Sequence, residues 1–78
     1  MDIEKISNKI KKWFEKNSGD IPDNSEDYFI SEFVDSFSIV KLVFFCEDEF
    51  KIQFNSEDFQ KKEFRTLEGL VNIISKKV

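Results

Sequence analysis

Residues 35–50 read DSFSIVKLVFFCEDEF, and the way this run folds decides the reading of the chain around it. At about 100° per residue, Ile39, Leu42, Val43, Cys46 and Phe50 fall on one side of a helix. The pattern predicts a helix from about Ser36 to Phe50 with that side turned to a core. Either Asp35 or Ser36 serves as its cap by accepting an early backbone N–H. Cys46 sits on the core side and reads as a buried structural thiol. Phe37, Val40, Lys41, Phe44 and Asp48 fall on another side, with Glu47 and Lys51 at its edge. A helix buried all round would not carry those charges. Hydrophobic residues bordered by charges mark a protein-binding surface. For Phe44 that surface role is favoured; for Phe37, packing beneath the acidic loop that precedes it stands as an equal alternative.

Upstream, Ile3, Ile6, Ile10 and Trp13, with Phe14 beside them, make one apolar stripe and predict a first helix over about Ile3 to Asn17. Ser18-Gly19 stops it, Gly19 being a natural residue to follow a helix C-terminus. Residues 18–35 form a long connection without a basic residue. Pro22 prevents Ile21-Pro22-Asp23 from continuing a helix, and a short helical turn fits Glu26 to Ile30. Ile21, Tyr28, Phe29 and Phe33 are expected to pin this loop to the core. Downstream, a short third helix begins at Asn55 or Ser56, with Glu57 and Asp58 in the first turn, where the helix dipole favours acids. A fourth begins at Thr66, a good cap, with Leu67, Leu70, Val71, Ile74 and Val78 on one face. Phe54, Phe59 and Phe64 are expected to seal the third and fourth helices against the second. The fold class expected is all-α, a four-helix bundle with a long first loop and a short third helix, in a single domain over 1–78.

Ten phenylalanines, one tryptophan and one tyrosine among 78 residues supply the bulk that so small a core needs. The net charge of −4 conceals an asymmetry. Residues 20–58 carry eleven acids and two bases, while the two ends together carry ten bases and five acids. An acidic middle repels phosphates and attracts basic protein surfaces, so nucleic acid is not an expected partner. With no histidine and a single cysteine, no intrachain disulfide forms and the common zinc ligand sets are missing. No apolar run approaches membrane-spanning length and the N-terminus does not resemble a signal peptide, so the expected setting is cytoplasmic, with no membrane partner. Ser36 is not expected to be a catalytic nucleophile. No histidine is present to act as its base, and Lys41, five residues on, is turned away from it by about 140°.

Asp35-Ser36-Phe37 at the head of the second helix, NSEDF at 55–59 and FRTLEGLVNII at 64–74 together resemble the acyl carrier protein family, including peptidyl-type carriers of the same fold. The resemblance covers nearly the whole chain. It implies that Ser36 is the attachment point of 4′-phosphopantetheine, transferred from coenzyme A by a separate, Mg²⁺-using transferase. The thiol of that group then carries an acyl or aminoacyl cargo as a thioester. The helix N-terminus, with free N–H groups and a positive dipole end, suits a phosphodiester. By the same resemblance Asp35 belongs to the motif that the phosphopantetheinyl transferase reads. Phe37, Val40, Lys41, Phe44, Glu47 and Asp48 form the partner-binding face, met by basic docking patches on acyl-loading and synthase enzymes. The protein is then a carrier and not an enzyme, acting as a monomer. In some members a cargo chain inserts between the helices; the crowd of aromatics here narrows that space, so little or no cavity is expected.

The chain departs from the family pattern at several places. Many such carriers have glycine two or three residues before the aspartate, where this chain has Phe33 and Glu32. Ser38 stands where an acid is common and Lys41 where glutamate is usual, reversing a charge on the recognition face. Phe37, rather than leucine, is commoner in free-standing carriers of specialised pathways. These departures favour a dedicated carrier for a specialised biosynthetic pathway over housekeeping fatty-acid synthesis. The alternative is an unmodified helical interaction module, in which Ser36 is only a cap and the acidic helix docks to a basic partner.

Overall fold

The computed structural model describes residues 2–78. Four α-helices follow in order: α1 (Ile3–Ser18), α2 (Ser38–Phe50), α3 (Ser56–Gln60) and α4 (Leu67–Ser75), with a 3₁₀ turn over Lys62–Arg65 between the last two. The all-α bundle with a long first loop and short third helix is therefore observed. The one extended pairing among the described residues is an isolated bridge between Asp27 and Thr66.

Each helix is bounded by local chemistry. Asp2 accepts the Glu4 N–H at 2.9 Å, and α1 ends at Gly19, whose φ of 81° is left-handed backbone that glycine adopts without strain. Asn55 and Asp58 form a reciprocal capping box at α3. Thr66 accepts the Gly69 N–H at 3.0 Å. The core joins Ile6, Ile10, Trp13 and Phe14 of α1 to Leu42, Cys46 and Phe50 of α2 and to Leu67, Leu70, Val71, Ile73 and Ile74 of α4. A β-carbon at Gly69 would lie 2.1 Å from the Glu63 carbonyl oxygen, so α4 needs glycine there to approach the 3₁₀ turn.

The loop before α2 is pinned as its apolar residues suggested. Tyr28 is fully buried, with Ile21, Phe29 and Phe33 packed against the core. Tyr28 N donates to Arg65 O at 3.0 Å and Glu68 N to Asn24 O at 3.0 Å, so the loop lies along the entrance to α4. The Tyr28 hydroxyl donates to the Phe64 carbonyl oxygen. Arg65 closes the same seam, its Nε 2.6 Å from Asp27 and its guanidinium over the Phe29 ring.

Three expectations need correction. Ile3 points outward, since the core-facing stripe begins at Ile6. Val78 lies beyond α4, which ends at Ser75, and is exposed. Phe59 is 47% exposed. It leans on Phe54 and Phe64 at centroid distances of 5.9 and 5.1 Å, but α3 is too short to carry it under the bundle. Asp58 lies in the first turn of α3 as expected and is also buried. It bonds the Asn55 N–H at 2.9 Å and Lys77 Nζ at 2.9 Å, tying α3 to the C-terminal turn. Burial alone would raise its pKa, but the Asn55 bond and Lys77 outweigh that and hold it below the usual value.

Candidate functional site

The start of α2 is built by Asp35. Its Oδ1 accepts the N–H groups of Phe37 at 3.0 Å and Ser38 at 2.7 Å, and its carbonyl accepts the Ile39 N–H at 3.0 Å. Regular helix then runs from Ser38, two residues later than the apolar pattern indicated. Of the two proposed caps, Asp35 is therefore the one in use. The bonds from Ser38 and then Phe37 hold its carboxyl below the ordinary aspartate range. Ser36 is exposed in the first turn. The amides at 37 and 38 are not free, as had been expected, but already held by Asp35. A phosphodiester on Ser36 fits this exposed position and the positive end of α2, with Ser36 as its one covalent anchor.

Glu32, three residues before Asp35, adopts φ 62°. The backbone there is left-handed because Phe33 N and Val34 N both turn back to Tyr28 O, at 3.0 and 3.2 Å. A side chain in this region costs about 1–2 kcal/mol, while glycine gives back about 0.4–1 kcal/mol through the freer unfolded chain. Glu32→Gly is therefore expected to stabilise by about 0.5 kcal/mol, raising Tm by ~2–4 °C in a domain this size; thermal unfolding followed by circular dichroism checks it. The approach to Ser36 is also held from the other side, where the Ser18 hydroxyl donates to Phe33 O at 2.8 Å.

On α2 the two faces separate. Leu42, Cys46 and Phe50 are buried, with Ile39 and Val43 half-buried. Phe37 is 69% exposed, Phe44 66% and Val40 48%, so the loop does not cover Phe37. Lys41 is exposed and its Nζ stands 4.9 Å from the Phe37 ring centroid. Val40, Phe44, Ile39 and Val43 meet Phe59 of α3 along an apolar groove that is open to solvent rather than an enclosed channel. Phe59 was not recognisable as part of this surface, because its place depends on how α3 docks on α2.

At the end of α2, Glu47 and Glu49 are tied to neighbouring segments, and Asp48 is not. Glu47 accepts the Phe54 N–H at 3.0 Å, Glu49 pairs with Lys9 at 3.2 Å, and Asp48 lies 3.8 Å from Lys51 on the open surface. The loop acids do similar structural work: Asp20 bonds the Ile21 N–H, Glu26 the Asp23 N–H and the Ser31 hydroxyl, and Asp27 the amides of Phe29 and Ile30. Eight of the eleven acids in 20–58 (Asp20, Glu26, Asp27, Asp35, Glu47, Asp48, Glu49 and Asp58) thus have partners within the chain. Much of what reads in sequence as an acidic docking surface is turn and cap chemistry.

Among the described residues no group of side chains is arranged to hold a metal ion. No helix there is long and apolar enough to cross a membrane. No curated protein matches the chain significantly. A family model for the phosphopantetheine attachment site matches residues 4–74. That span takes in α1, the capped entry to α2, α3 and nearly all of α4, and its members are non-catalytic carriers of covalent 4′-phosphopantetheine served by a phosphopantetheinyl transferase and synthase enzymes. The chain belongs to the phosphopantetheine-attachment-site family of carrier proteins.

Proposed function

We propose that this carrier bears its 4′-phosphopantetheine on Ser36 and shuttles acyl or aminoacyl intermediates as thioesters in a specialised biosynthetic pathway. The observation that carries the assignment to Ser36 is its exposure in the first turn of α2, beside an aspartate locked in place as the cap. In the loading step the Ser36 hydroxyl oxygen attacks the pyrophosphate phosphorus that bears the pantetheine arm of coenzyme A. A serine O–P bond forms, the bond to the adenosine portion breaks, adenosine 3′,5′-bisphosphate leaves, and the hydroxyl proton passes to a base on the transferase. This is why Ser36 needs no base in its own chain. The group, once bound, supplies a terminal thiol on a long arm. Phe37, Val40, Lys41, Phe44, Glu47 and Asp48 form the face that successive enzymes grip, and as a monomer the protein leaves each of them quickly.

The test is the intact mass before and after incubation with coenzyme A, Mg²⁺ and a broad-specificity phosphopantetheinyl transferase, followed by peptide mapping. A gain of one phosphopantetheine on the Ser36 peptide supports the reading. A folded protein that stays unmodified with several active transferases overturns it. Thiol counting gives a second readout. Cys46 is buried, and burial, with Glu47 nearby, pushes its thiol up to about 12. The native unloaded protein is therefore expected to show no thiol reactive toward a disulfide reagent at pH 8 within minutes. The loaded protein is expected to show one, and denaturation to reveal Cys46 as one more in either form.

A further inference from the structure

The first turns of the exposed face of α2 carry a base, Lys41, among apolar residues, within an otherwise acidic stretch. Phe37, Val40, Lys41 and Phe44 lie at i, i+3, i+4 and i+7, so they share one face. Phe37, Val40 and Phe44 are exposed carbon surface. The acids of the helix, Glu47, Asp48 and Glu49, stand at its far end, where Glu47 caps the Phe54 N–H, Glu49 pairs with Lys9 and Asp48 is open to solvent beside Lys51. Lys41 has no carboxylate within ion-pair distance among the described residues; its contact is the Phe37 ring, 4.9 Å away. That contact holds the ammonium beside the apolar strip. Ser36 precedes Phe37 in the chain, so an enzyme that grips the Phe37 ring on its way to Ser36 also meets the Lys41 ammonium beside that ring.

Three kinds of partner surface then behave differently. A uniformly basic surface brings like charges together as water is squeezed out, which opposes docking. An apolar groove without a counter-charge strands a desolvated ammonium. An apolar groove with a carboxylate on its rim seats Phe37 and Phe44 and pairs Lys41.

Building on the reading of Ser36 as the attachment point, we propose that Lys41 is a partner-selecting residue. It directs the carrier to enzymes whose docking surface is an apolar groove edged by a carboxylate, and it disfavours uniformly basic docking surfaces. Recognition then combines the aromatic strip, which supplies the buried contact, with one charge whose sign decides which enzyme fits.

The transferase that loads Ser36 is the first such enzyme and serves as the probe. Loading rates of the full chain are measured by intact mass with a transferase of basic carrier-docking surface, and with the same transferase after one docking lysine or arginine is replaced by glutamate. Lys41→Glu is expected to raise kcat/KM roughly tenfold with the basic enzyme at low salt. The gain should shrink toward unity near 1 M salt, where the screening length is ~3 Å. The wild type should prefer the glutamate-bearing transferase. Lys5→Glu on α1, an equal change of net charge elsewhere, should leave both rates as they are. Equal rates for wild type and Lys41→Glu with both enzymes, or the same gain from Lys5→Glu, would overturn the selection while leaving attachment at Ser36 intact. Absence of loading in every chain would instead bring down the attachment reading, and this inference with it. A wild-type dimer that Phe44→Asp turns into a monomer would show that a second copy, not an enzyme, occupies the strip, and would also overturn it.

Discussion

Ser36→Ala is expected to remain at its unmodified mass under conditions that load the wild type completely, and to unfold at the same temperature. The first half follows from chemistry: without the hydroxyl oxygen there is no atom to form the new bond to phosphorus. The second follows from the structure. Had Ser36 been the cap of α2, its loss would cost ~1 kcal/mol. The cap is Asp35, which holds both Phe37 N and Ser38 N, so removal of the exposed Ser36 hydroxyl should change stability by less than ~0.5 kcal/mol. Asp35→Ala is the complementary case. It loses a cap worth about 0.5–2 kcal/mol, lowering Tm by roughly 4–8 °C for each kcal/mol, and it loosens the turn that presents Ser36. Intact-mass analysis and thermal unfolding on the three chains separate the roles. If Ser36→Ala gained mass, another residue would be the acceptor. If it unfolded as readily as Asp35→Ala, the division between cap and acceptor drawn here would be wrong.

Tyr28→Ala is expected to cost about 3–5 kcal/mol, the range for emptying a buried aromatic site. Since small domains have about 5–15 kcal/mol in total, with this chain at the lower end, much of the population should unfold near room temperature. Four hydrogen bonds converge on this residue. Its ring is fully buried 5.3 Å from Phe14 and 5.4 Å from Phe29 by centroid. Its N–H and hydroxyl hold Arg65 O and Phe64 O. Its own carbonyl receives Phe33 N and Val34 N, the last residues before the Asp35 cap. Burial raises the phenol above its ordinary pKa, so the hydroxyl stays protonated and donates throughout the neutral range. Tyr28→Phe keeps the ring and leaves the Phe64 carbonyl unpaired, an intermediate loss of about 1–3 kcal/mol. Urea unfolding of the series measures both steps. A Tyr28→Phe chain as stable as the wild type would show that the hydroxyl bond adds nothing net.

The consequence reaches the site. The loop from Asp20 to Asp35 has no regular structure of its own, and Tyr28 fastens it to the 3₁₀ turn before α4, beside the Asn24–Glu68 bond. A destabilised Tyr28 should therefore disturb the presentation of Ser36, because its carbonyl holds the Phe33 and Val34 amides just before the Asp35 cap.

Sequence alone determined the elements whose cause is local. The 3.6-residue spacing of Ile6, Ile10, Trp13 and Phe14 makes a helix with a buried stripe, whatever it packs on. Gly19, Asn55 and Thr66 mark helix ends because their caps act within three or four residues. The position of Ser36 at a helix start, the buried Cys46 and the outward Phe44 were legible for the same reason. What only the tertiary structure decided depends on partners distant in the chain. Asp58 is buried because Lys77, nineteen positions later, comes to meet it. Asp27 is part of a seam because Arg65 reaches it. Phe59 is half-exposed because α3 is one short turn laid against α2 and Phe64. The acidic middle looked like a charged surface because composition records charge but not hydrogen-bond partners. Folding brings backbone N–H groups and lysines to most of those carboxylates, while Lys41 stands without a carboxylate partner among the described residues, beside the exposed Phe37 ring.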